Sequence, residues 1–115
     1  MSTAAYQAAS VGNYDKAKLK ALSVAFRQVG GAAAAGGFNS LKEIELASVE
    51  ANRKAICGTV DPVSPEGVAI RNSFLPFFQA LQPKIKELSQ TKAAIPEQYG
   101  KMLIEIAVGL EEKSR

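Results

Sequence analysis

Residues 64–88 read SPEGVAIRNSFLPFFQALQPKIKEL, and the way this stretch is parsed decides the fold. Ser64, Pro65 and Glu66 stand in the order of an N-cap, a first helical residue that needs no N–H, and an acid at the positive end of the helix dipole. Behind them Ile70, Phe74, Phe77, Phe78, Leu81, Ile85 and Leu88 recur at spacings of three and four, a helical stripe. Pro76 and Pro83 interrupt it, and at about 100° per residue both fall roughly opposite the centre of the stripe. A proline bends a helix away from its own side. The spacing therefore predicts one helix, twice kinked, that curves around a core with its prolines on the convex outer side.

The flanking segments repeat the pattern. Towards the C-terminus, Pro96-Glu97 opens a helix expected to reach about Glu112, with Tyr99, Met102, Leu103, Ile106 and Leu110 as its core stripe. Ile104 and Val108 point nearly away from that stripe, so this helix is either packed on two sides or offers an apolar strip to a partner. Towards the N-terminus, Ser40-Leu41-Lys42-Glu43 has the form of a capping box. It predicts a helix that runs to Ile56, stops at Gly58, and carries Leu41, Ile44, Ser48, Ala51 and Ala55 on one face. Tyr14 to Val29 carries Leu19, Leu22, Phe26 and Val29 on one stripe, with Asn13 as its cap, Asp15 complementing the dipole and Gly30 as its stop. Gly30 to Gly37, GGAAAAGG, is expected to connect two helices without burying area, because glycine adds backbone freedom and offers no side-chain contact. No lysine followed by serine or threonine comes after it and no strand pattern comes before it, which excludes a P-loop. Thr3 to Ser10 is an Ala-rich stub, too short to stand without docking. No alternating stretch survives for six residues. The expected fold is all-α, a single-domain up-and-down antiparallel four-helix bundle over residues 1–115 with a short N-terminal helical lead.

Composition narrows the function classes. The 115 residues contain no histidine, no tryptophan and a single cysteine, Cys57. Histidine is the usual general acid/base and the commonest metal ligand, so its absence removes Ser-His and Cys-His nucleophile pairs and most zinc sites. Di-iron bundles pair glutamates with Glu-x-x-His motifs, which cannot be built here. Glu43, Glu45, Glu50, Glu111 and Glu112 are therefore read as solvated charge, Tyr6, Tyr14 and Tyr99 as rim or core aromatics, and Cys57 as a buried thiol. No enzyme activity, metal or cofactor is expected. No uncharged run is long enough for a membrane span, and none has the basic lead of a signal peptide, so an exported chain would be in its mature form.

Net charge is +3. Lys16, Lys20 and Arg27 share a face of the 14–29 helix with Lys18 at its edge, and Lys84, Lys86 and Lys92 cluster near the end of the 64–88 helix. No aromatics interleave with either cluster as they do in a single-strand nucleic-acid groove, so the seven basic residues are candidates for docking on an acidic protein surface. A different class is a carrier of an apolar ligand held between the Phe-rich helix and the last one.

A small, histidine-free, mildly basic four-helix chain with an Ala-rich lead resembles the PsbQ-type extrinsic proteins of photosystem II, in general character the additional extrinsic subunit of diatoms. The likeness is one of helix and charge pattern over Tyr14 to Leu110. It implies a non-catalytic bundle in the thylakoid lumen that docks through basic side chains on the membrane-embedded complex and supports oxygen evolution. Lys16, Lys20 and Arg27 are the docking candidates it carries over.

Overall fold

Asp15, rather than Asn13, starts the first long helix: its carboxylate accepts from the Ala17 N–H at 2.7 Å. In the computed structural model, which describes residues 3–91 and 95–115, the elements are α1 (Thr3–Ala9), α2 (Lys16–Ala34), α3 (Leu41–Cys57), α4 (Pro65–Ser73), α5 (Leu75–Thr91) and α6 (Pro96–Lys113). There is no strand among the described residues. The Leu88 side chain and Lys92 lie outside what is described.

Two expectations are overturned, each for a local reason. The first concerns Gly30 to Gly37. Helix α2 runs through Gly30 and Gly31 to Ala34, and its stop is Gly36, at φ 83°. The Gly36 N–H bonds Ala33 O at 3.0 Å and the Gly37 N–H bonds Ala32 O at 2.8 Å, the paired bonds of a Schellman motif. The helix continues through this pair because α6 packs directly on Gly30. A Cβ built on Gly30 would lie 2.7 Å from Gly100 O, and one built on Gly100 would lie 2.6 Å from Gly30 O. Ala33 is fully buried beside this contact. The tract is a packed helix end.

The second concerns residues 64–88, which form two helices divided at Phe74. Ser64 caps α4 as expected, accepting from the Gly67 N–H at 3.1 Å. An unbroken helix would need a bond from residue 76 to Asn72 O, and Pro76 has no N–H to give. The Phe74 N–H turns instead to Arg71 O at 3.1 Å, closing α4, and Pro76 becomes the second residue of α5, where no donor is required. Pro83 stays inside α5. Both prolines are exposed, on the outer side where the wheel put them.

The remaining boundaries agree closely with the sequence. Ser40 caps α3 through the Glu43 N–H at 3.3 Å, though the Glu43 carboxylate reaches back to the Asn39 N–H instead of that of Ser40. Gly58, at φ 59°, ends α3. Pro96 and Glu97 open α6.

Helix α2 runs antiparallel to α6, as two pairings show. Ser23 Oγ of α2 donates to Ala107 O of α6 at 2.8 Å, while Gly30 meets Gly100. Lys18 of α2 reaches Ile56 O at the far end of α3. The core joins Leu19, Leu22, Phe26 and Val29 of α2 with Ile44 and Ile56 of α3, Phe77 and Leu81 of α5, and Met102, Leu103, Ile106 and Leu110 of α6. Tyr14 stacks on Phe74 at 4.6 Å between ring centroids, and Phe77 meets Phe78 edge-on at 4.9 Å. The stub α1 docks on α6 and α5 through buried Ala5, Ala8 and Ala9. Helix α6 is thus packed on two sides, and Ile104 lies over Gly30. Cys57 is buried with its Sγ 3.8 Å from Gly67 O. Among the described residues no helix is long and apolar enough to cross a membrane.

Candidate ligand groove between α3 and α5

The basic side chains were the first functional lead, and several of them have internal work. Lys16 Nζ donates to Arg115 O at 2.9 Å, and Lys18 Nζ donates to Ile56 O, where the carbonyls at the end of α3 concentrate negative charge. Arg27 pairs with Glu111 at 2.8 Å and so ties α2 to α6. Lys84 lies 3.5 Å from Glu87 on the same helix. Lys16, Lys20, Arg27, Lys84 and Lys86 are exposed, and Lys18 is half-buried. The 16–27 face therefore also fastens α2 to its neighbours.

The carboxylates do not converge. Glu43 serves the α3 cap, Glu50 pairs with Lys54 at 3.7 Å, and Glu111 meets Arg27 and Arg115. Among the described residues no three metal-ligating side chains come together.

A more specific arrangement lies where α5 leans on α1 and leaves a gap beside α3. Two adjoining cavities of about 340 and 330 Å³ open there, sharing Val49, Asn52, Phe78 and Gln82 as a common wall. The first is completed by Ile56, Leu75, Arg53, Arg71 and Asn72. The second is floored by Phe26 of α2 and by Tyr99 and Leu103 of α6, and reaches Ile85, Glu45 and Lys86. The Phe-rich run divides its labour: Phe74 and Phe77 enter the core, and Phe78 turns its half-buried ring to the groove. Val49 and Leu75, 54% and 47% exposed, form an apolar rim.

Asn52 stands in the middle. It occupies the buried row Ile44, Ser48, Asn52, Ile56, four residues apart along α3, and is only 8% exposed. Its Nδ2 donates weakly to Ser48 Oγ at 3.5 Å, and its Oδ1 is buried without any partner. A buried acceptor left unpaired costs about 1–3 kcal/mol. Tyr99, nearby, is 5% exposed. Burial, and then the charge of Glu45, raise its pKa above the ordinary phenol value, so it stays a neutral phenol.

Sequence reasoning placed an apolar cavity between the Phe-rich helix and the last one. The groove does lie against the Phe-rich helix, but its opposite wall is α3, and α6 supplies only the floor. Asn52, Arg53 and Arg71 were not among the candidates. The signal for Asn52 was present, an amide at a position whose neighbours four residues either way are core. The chain matches no protein-family model, no curated protein sequence and no solved structure.

Proposed function

We propose that the protein is a non-enzymatic helical binding module that carries an apolar ligand bearing one polar group in the groove between α3 and α5. In this reading the four long helices, α2, α3, α5 and α6, are a four-helix bundle opened along one seam. The carrying observation is Asn52, a buried amide with an unpaired oxygen in the wall that the two cavities share, beside Val49 and Phe78. Such an arrangement is typical of small-molecule sites, where apolar lining supplies affinity and a few convergent polar groups set orientation. The test is organic extraction and mass spectrometry of the protein purified from its source, paired with Asn52→Leu. A hydrophobe should co-purify with the native chain and be reduced in the variant. Removing the orphaned amide should also raise the urea midpoint, so weaker binding would come without unfolding. A native chain free of any hydrophobe would reject the carrier reading.

The second reading is an accessory subunit docked on an acidic surface of a larger assembly, as the PsbQ-type resemblance implies. The exposure of Lys16, Lys20 and Arg27 on one side of α2 favours it. Salt separates the two. Exposed ion pairs are screened at ~0.5 M salt, so docking would weaken there, whereas binding of an uncharged apolar probe in the groove would not.

A further inference from the structure

The first cavity carries an electrostatic asymmetry that identifies what the groove takes. Its lining includes two guanidinium groups, Arg53 and Arg71, and no carboxylate. Both are half-buried, and neither has an ion-pair partner among the described residues. Arg71 is held in place by an Nη1 bond to Pro62 O at 3.1 Å, which leaves most of its planar fork free. Like charges along one partly dehydrated wall repel, and an anion placed between them relieves that repulsion while accepting charge-assisted bonds. The second cavity continues the path with Phe78 at the shared wall and Phe26 and Leu103 below, and its lining also includes Glu45, Ser48, Gln82 and Lys86.

We propose that the occupant is a single-chain carboxylate, its headgroup held by Arg53 and Arg71 and its hydrocarbon tail laid past Phe78 onto the Phe26–Leu103 floor. This rests on the groove reading given above and adds the charge and shape of the ligand. Asn52 fits the same occupant. A half-turn of its amide lets Oδ1 accept from the Ser48 hydroxyl and leaves Nδ2, a donor, on the side where Oδ1 now lies. The unpaired oxygen and the long Ser48 bond are then both relieved by an acceptor headgroup.

Calorimetric titration of the full chain with decanoate, 1-decanol and decylammonium, each below its aggregation limit, tests the proposal. Circular dichroism follows the fold throughout. Decanoate should bind at least about tenfold more tightly than decanol, the factor expected of charge-assisted bonds at a partly buried site, and decylammonium should bind least. Arg53→Gln should remove the preference for decanoate over decanol when both are titrated into that variant. Arg53→Lys, which keeps the charge but not the fork, should fall between and guards against a folding defect in the first variant. Equal binding of decanoate and decanol, or a preference for the ammonium, would overturn the carboxylate and leave the groove standing. Failure of all three to bind would overturn both.

Discussion

Gly30 and Gly100 show how much rests on the absence of one carbon. Each lies where a Cβ would meet the other's carbonyl oxygen at under 3 Å, and a Cβ on Gly100 would also collide with the Ala34 amide nitrogen. Backbone atoms cannot swing aside as a side chain can. Gly100→Ala should therefore cost about 1–3 kcal/mol in urea unfolding, the usual scale of overpacking. Gly31 is its control. It sits in the same helix, exposed, with nothing near its missing Cβ. Gly31→Ala should stabilise by about 0.5–1 kcal/mol, because only the conformational entropy of glycine is removed. If both variants behave alike, the close α2–α6 approach is wrong.

At the scale of elements, the decisive feature is that α2 reaches Ala34. A tract expected to connect two helices without burying area contains the last turn of the helix that α6 packs against. Replacing Ala32 to Ala35 by Gly-Ser-Gly-Ser puts poor helix formers at three helical positions, at up to about 1 kcal/mol each, and sets a serine hydroxyl at the fully buried Ala33 site. The expected loss is about 3 kcal/mol in urea unfolding, and a loss below 1 kcal/mol would return the tract to a loop. The split at Phe74 has a different consequence. Because α4 and α5 are separate, α5 leans on α1 and stands off from α3, and the groove is the space that remains.

For the whole molecule, Tyr99 links folding to pH. The residue is buried, and burial first and the Glu45 carboxylate second disfavour its phenolate. The folded state thus binds the phenolic proton more tightly than the unfolded chain, whose value is near 10.0. The contribution to stability is complete below that value and is lost as pH rises through the higher folded pKa. Unfolding free energy measured from pH 8 to 12 should fall more steeply in the native chain than in Tyr99→Phe, since the lysines titrate in both. Parallel curves would mean that Tyr99 is solvated.

What the sequence determined by itself is local chemistry. The Ser40 and Ser64 caps, the Gly58 stop, the Pro96-Glu97 start, the buried stripes and the helical class all depend on groups within a turn or two of each other, and these are legible without a partner. The Pro76 break was legible too, had the missing donor to Asn72 been weighed against the continuity of the stripe. What only the tertiary structure decided depends on surfaces far apart in the chain. Gly30 and Gly31 have the composition of a loop, and the helix continues through them because Gly100, seventy residues on, lets α6 approach Gly30 closely enough to repay the entropy of ordering them. The groove is of the same kind. Asn52, Arg53, Arg71 and Phe78 are ordinary residues on three helices, and only the way α5 tilts towards α1 sets them around one space. Local pattern reports which face a helix buries, whereas a cavity is what packing leaves unfilled, and no single stripe records it.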